Sequence, residues 1–175
     1  MLKSFKEVQE QEAAFETRDR GTLMVALERI IGSVGRYQDF DERFRIRPHL
    51  PAERLEEIKS KMKAGKPLPP VKLYQIKNEY YVLDGNHRIA AANELGYGEI
   101  QARVIEFMPS KGSRENLLYR EKAQFDDRTR LPYSIELTDF GQYEHLFTQI
   151  SRHQDYLEKD AAASAALQTA AKNWY

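Results

Sequence analysis

Apolar positions fall into short runs with distinct periods. At the N-terminus Ser4-Phe5-Lys6-Glu7 has the form of a capping box, and Phe5, Val8 and Phe15 fall roughly on one helical face. That pattern predicts a helix over residues 4–18 laid against the body and broken by Gly21. The run Thr22–Leu27 is ambiguous: Leu23, Met24 and Val25 suit a strand, whereas Leu27, Ile30 and Ile31 continue at helical spacing. Gly32-Ser33-Val34-Gly35 then predicts a turn, because two glycines in four positions favour unusual backbone angles. Pro51 suits a first helical position, and Leu55, Ile58 and Met62 form an i, i+3, i+7 stripe that Gly65 closes.

Pro67, Pro69 and Pro70 make a rigid entry to a strand marked by Val71, Leu73 and Ile76. Lys77-Asn78-Glu79 reads as a hairpin loop and Tyr80–Leu83 as the returning strand. Asp84-Gly85-Asn86 is a turn, Ile89–Leu95 an Ala-rich helix closed by Gly96, and Ile100–Phe107 another strand. Pro109–Ser113 is the one clear boundary signal. Helices are expected near 114–127 and 139–158, then an Ala-rich helix ending at Trp174-Tyr175. The pattern predicts an α+β core carrying a helical C-terminal extension. Its divisions would be an N-terminal helix (1–21), a central domain (22–107) and the extension (114–175).

The chain has 175 residues and equal counts of Lys+Arg and Asp+Glu, 27 each, so a strongly basic nucleic-acid binder is disfavoured. With no cysteine, disulfides, thiolate zinc sites and cysteine nucleophiles are excluded. No apolar stretch is long enough to span a bilayer, and Met1–Arg20 lacks a signal-peptide core. A bacterial-type cytoplasmic protein is the expectation.

The run Val82-Leu83-Asp84-Gly85-Asn86-His87-Arg88-Ile89 carries the chemistry. In a strand–turn–helix, a glycine lets backbone approach a ligand, and the first helical amides point outward with the positive end of the dipole behind them. That is an anion site, with phosphate its usual occupant. Cations in a helix's first turn do nothing for the helix, so His87 and Arg88 suggest an external anion. Arg88, expected at an exposed cleft, can fork onto two phosphate oxygens; His87 can donate one bond and titrate. The same spacing also fits a structural turn in which Asp84 caps the helix and Arg88 pairs with a surface acid.

The segment from Pro69 to Glu106, PPVKLYQIKNEYYVLDGNHRIAAANELGYGEIQARVIE, resembles the core of the ParB/sulfiredoxin superfamily. There a strand leads into a Gly-x-His/Arg-Arg motif and an Ala-rich helix. Leu27-Glu28-Arg29-Ile30, Arg36, the 52–64 helix and GKPLPPV follow the family's order upstream, so the resemblance covers about residues 22–107. IIGSVGRYQDFDERF is similar to a subfamily of uncharacterised ParB-like domain proteins. The resemblance implies a ParB/sulfiredoxin-like mixed sheet with packed helices. It also implies a phosphate pocket at Gly85, Asn86, His87 and Arg88, for CTP as in ParB or for ATP or ADP as in sulfiredoxin and the ParB-like free serine kinase. Asn86 stands where sulfiredoxin has its catalytic cysteine, which rules out sulfinic acid reduction. No basic helix-turn-helix follows residue 113, and Glu115, Glu121, Asp126, Asp127 and Glu136 make that region acid-rich.

Around the turn, Arg36 is a candidate second phosphate clamp and Ser33 a further contact. Asp84 can orient Arg88 or His87, hold Mg²⁺ through water, act as a base, or simply cap the helix. Arg43, Arg45, Arg47 and His49 alternate and would face one way on an extended segment, although a solvated edge fits better. His145 and His153, eight apart, do not make a metal site. Tyr119, Tyr133, Tyr143, Tyr156 and Trp174 are expected to dock the C-terminal helices. Three classes stay open: a non-catalytic protein binding Mg²⁺ and a nucleotide, a nucleotide-dependent phosphotransferase on a small molecule, and a DNA-binding or nuclease module. No membrane partner is expected, and a homodimer is compatible with all three.

Overall fold

The computed structural model describes residues 2–35, 38–41, 44–47, 52–161 and 167–174. The chain divides into two compact units, Met1–Lys111 and Gly112–Tyr175. Unit one is built on a mixed six-stranded sheet of β1 (Lys3–Ser4), β2 (Glu16–Ala26), β3 (Ile30–Ser33), β4 (Val71–Ile76), β5 (Glu79–Asp84) and β6 (Glu99–Met108). The spatial order is β1-β3-β5-β4-β6-β2. β3 lies parallel to β5 and β4 parallel to β6, while β4–β5 and β2–β6 are antiparallel.

Helices α2 (Glu53–Lys63) and α3 (Asn86–Glu94) cover one face. Leu55, Ile89, Ala90, Ala91 and Ala92 pack there with Val71, Leu73, Val82, Ala102 and Val104, and Phe40 and Phe44 seal the layer. The alanines are the reason α3 can lie so close: each buries wholly without holding the helix off the sheet. On the other face α1 (Phe5–Glu12) inserts Phe5 among Tyr74, Tyr81 and Phe107, with ring centroids 5.0, 5.5 and 4.9 Å away. This is the α+β fold expected, with helices on both faces of a mixed sheet.

Three local expectations fail for identifiable reasons. The helix predicted over 4–18 stops at Glu12, where Ala13 turns left-handed, and Glu16 already opens β2. Phe15 is 65% exposed and anchors nothing. Ten residues of ladder with β6 outweigh a weak helical period, and Gly21 marks a register shift within the strand rather than a helix end. Ser4 is the N-cap of α1 but makes no side-chain capping bond. Gly32 and Ser33 belong to β3 rather than to a turn. A Cβ at Gly32 would lie 2.4 Å from the Lys3 carbonyl oxygen and 2.5 Å from Tyr81 Cδ1, so glycine there serves close packing. Pro51 lies outside the described residues.

Unit two consists of α4 (Arg114–Thr129), α5 (Gln142–Ala161) and α6 (Leu167–Trp174) around Phe125, Tyr143, Ile150, Ala170 and Ala171. Ser113 caps α4 through its hydroxyl, which accepts from the Asn116 amide. Tyr143 staples the α4–α5 connection: its hydroxyl donates to the Ile135 carbonyl at 2.8 Å and accepts from the Leu137 amide at 3.0 Å. No helix among the described residues is long and apolar enough to cross a membrane.

Gly32→Ala should destabilise unit one by about 1–3 kcal/mol, the usual cost of overpacking. Chemical denaturation checks this, and an unchanged midpoint would refute the close-packing role.

Candidate functional site

Strand β5 runs out at Asp84 and α3 begins at Asn86, so the reversal falls on Gly85 alone. Gly85 has φ 109° and ψ 21°, and a Cβ there would sit 2.6 Å from Val71 Cγ1. Both the backbone angle and the space demand glycine. The first helical bond of α3 runs from the Ile89 amide to the Gly85 carbonyl at 3.0 Å, which leaves the amides of Asn86, His87 and Arg88 without an acceptor inside the helix. Asn86 is only 8% exposed, and its Oδ1 is buried with no hydrogen-bond partner. A buried amide oxygen left unbonded is costly, and native structures rarely keep one without a reason. The His87 ring stands edge-on to Phe40, centroids 5.6 Å apart.

Arg88 does not hang in the cleft. Its side chain is 13% exposed; Nη2 bonds Asp84 Oδ2 at 2.7 Å, and Nη1 donates to the Pro70 carbonyl at 3.1 Å and to the Pro69 carbonyl. The expected exposed phosphate fork is instead a strut between the turn and the prolines that lead into β4. Proline carbonyls suit this role, since prolines have no amide and fix the local chain direction.

A cleft of about 180 Å³ opens over the turn, walled by residues 83–88 together with Gly35, Arg54 and Ile58. Arg54, in the first turn of α2, is a cation that the sequence reading missed. The signal was present: a cation in an N-terminal turn, the argument already applied to His87. Asp84 is the one carboxylate among the described residues lining the cleft. Its side chain is 64% exposed. A larger cleft of about 960 Å³, with Leu27, Ile30, Phe44 and Tyr97 in its wall, lies at the C-terminal end of α3. In its wall Lys3 pairs with Glu79 and Glu94 with Lys59, both at 2.8 Å, and no α-helix begins there.

The other candidates separate. Ser33 is fully buried in β3 with its hydroxyl donating to the Val82 carbonyl at 3.1 Å, so its oxygen is committed to the sheet and it does not line the cleft. Arg36, Arg43 and His49 lie outside the described residues. Arg45 pairs with Asp41 at 2.7 Å, and the Phe40–Ile46 bridge with Phe44 at φ 56° bends the segment, so Arg45 and Arg47 do not share an extended stripe. His145 contacts Gln149 at 2.9 Å and His153 stacks on Tyr156, and no cluster of metal-binding side chains occurs among the described residues. Tyr143 docks the helices as expected; Tyr156 is 61% exposed, and the side chain of Trp174 lies outside those described.

Residues 37–118 match the ParB N-terminal domain, a span that contains the turn, α2, α3, β4, β5 and β6. Over that span, a little under half of its length, the chain is similar to ParB N-terminal domains. No curated protein matches it by sequence. Similar solved structures include sulfiredoxin from Arabidopsis thaliana, at 21% identity over 55% of this chain and 91% of that one, with a TM-score of 0.35. They also include C-terminally truncated chromosome-partitioning protein ParB from Caulobacter crescentus, complexed with CTP-gamma-S, at 14% identity over 86% and 71% of the two chains and a TM-score of 0.37. A third is C-terminally truncated SbnI from Staphylococcus aureus, at 18% identity over 67% of this chain and 45% of that one, TM-score 0.35.

Arg88→Ala should cost about 2–3 kcal/mol of stability, because it strips charge-assisted bonds from two main-chain carbonyls and a carboxylate. Urea denaturation checks this; a variant as stable as the parent would return Arg88 to the ligand side of the site.

Proposed function

We propose that the turn from Asp84 to Arg88 binds the phosphates of a nucleoside di- or triphosphate: ATP, ADP or CTP. The observation that carries the reading is the buried Asn86 Oδ1, without a hydrogen-bond partner, set beside the amides of the first turn of α3. Turned over about its last torsion, the Asn86 carboxamide presents an NH₂ donor to a phosphate oxygen; as it stands, its oxygen can accept from a metal-bound water. The dipole of α3 and the Arg54 guanidinium across the cleft give the same small volume a positive potential. A cleft of about 180 Å³ takes phosphates rather than a whole nucleotide, so the nucleoside lies outside it. The ParB N-terminal domain match encloses this turn, in keeping with the resemblance read from the sequence.

Mg²⁺ fits the donors. It is commonly held by one or two carboxylates together with the phosphates themselves. Asp84, with Oδ2 engaged by Arg88 and much of its side chain exposed, is the residue to hold it. When bound, the ion would neutralise phosphate charge.

Binding without turnover is the better reading. Phosphoryl transfer needs a residue free to orient the attacking hydroxyl. Asp84 is the one carboxylate among the described lining residues, and it is tied to a guanidinium. A phosphotransferase acting on a small molecule is the alternative, and Asp84→Asn abolishing a measurable turnover would establish it. The balanced net charge places duplex DNA third.

Calorimetry with ATP, ADP and CTP, with and without Mg²⁺, tests the proposal. Arg54→Ala should weaken binding about tenfold or more, the worth of a charge-assisted contact. Its melting temperature should stay level, since an exposed cation in a first turn does not support its helix. Equal affinity in the variant, or no nucleotide binding by the parent at millimolar concentration, would overturn it.

A further inference from the structure

We propose that the larger cleft, at the C-terminal end of α3, is a second ligand site that takes a small organic ammonium ion with an apolar or aromatic body. The cleft encloses about 960 Å³, in the range of ordinary small-molecule sites, and lies wholly within unit one. Its floor is apolar, formed where the buried residues Leu27, Ile30 and Phe44 reach it. Tyr97 joins the wall and is 44% exposed. Gly96, at φ 73°, closes α3, and the Tyr97 amide donates to the Ala92 carbonyl at 3.0 Å, so the backbone carrying this ring is fixed. The Leu27 amide donates to the Gly98 carbonyl at 3.0 Å, which ties the turn bearing Glu28 to the loop bearing Tyr97.

Charge selects the occupant. The described lining residues include the cations Lys3 and Arg45 and the carboxylates Glu28, Glu79 and Glu94. Both cations are matched, Lys3 by Glu79 at 2.8 Å and Arg45 by Asp41 at 2.7 Å. Glu79 is committed at both oxygens, since Oε2 accepts from the Tyr81 hydroxyl, and Glu94 is held by Lys59. Glu28 is exposed, and its carboxylate has no ion pair or hydrogen bond among the described residues. Helix α3 ends in the same wall with no basic residue in its last turn, so the negative end of its dipole adds to that charge. An anion would meet no unmatched cation among the described lining residues. An ammonium meets a carboxylate to pair with, an aromatic ring and an apolar floor. The site is separate from the phosphate turn at the opposite end of α3, and its ligand does not depend on whether that turn binds nucleotide.

Tryptamine is the probe, with tryptophol and indoleacetate as neutral and anionic counterparts of nearly the same body. Titrated into ¹⁵N-labelled protein, tryptamine should move the backbone resonances of Leu27, Glu28, Tyr97 and Gly98 and saturate at millimolar concentration or below, while Gly85 and Asn86 stay still. Tryptophol should bind more weakly and indoleacetate more weakly again. Glu28→Gln should reduce tryptamine affinity about tenfold and Tyr97→Leu about fivefold, the worth of a charge-assisted contact and of a cation–π contact. Both side chains are exposed, so both variants should keep the parent's melting temperature. Equal affinity for tryptamine and indoleacetate, full affinity in Glu28→Gln, or no binding of tryptamine at millimolar concentration would overturn the proposal.

Discussion

The candidate site depends on one close approach. Gly85 is pressed against Val71, with no room for a methyl group and a backbone angle that side chains disfavour. Because β5 and β4 are hairpin neighbours, the end of β5 must pass the start of β4, and α3 must leave from that point. The direction of α3, the outward course of its first amides and the burial of Asn86 all follow from this contact. Arg88 then fastens it by reaching back to the carbonyls that precede Val71.

This division of labour separates holding from binding. A guanidinium that braces the turn cannot also be the mobile clamp on a ligand. The positive field over the cleft therefore comes from groups with no structural duty: the opening amides of α3 and Arg54. Asn86 lies between the two roles, buried enough to be fixed and unbonded enough to be useful. Its carboxamide, which can donate or accept, suits an anion-binding pocket.

Much of the core could be read directly. The β4–β5 hairpin, α3 and β6 each carry a clean local signal, from alternation at Val71, Leu73 and Ile76 to the Ala-rich run after His87. The N-terminal segment misled because its signal was local and its structure is not. Glu16–Arg20 has no apolar residue to mark a strand and is made one by β6, some ninety residues away. Gly32 looked like a turn residue because glycine's two uses, unusual angles and close packing, are indistinguishable in sequence. At the site, the turn itself was legible. The commitment of Arg88 to Pro69 and Pro70, and the arrival of Arg54 from α2, depend on tertiary geometry that spacing does not encode.

The central claim is that phosphate sits on the amides that open α3. Amide chemical shifts from ¹⁵N-labelled protein, titrated with Mg²⁺ and ATP, ADP or CTP, test it most directly. The account predicts that the backbone resonances of Gly85, Asn86 and His87 and the side-chain amide of Asn86 move most, with Tyr97 and Gly98 at the larger cleft nearly still. Shifts centred on Tyr97 and Gly98, or none at the turn under saturating nucleotide, would contradict it.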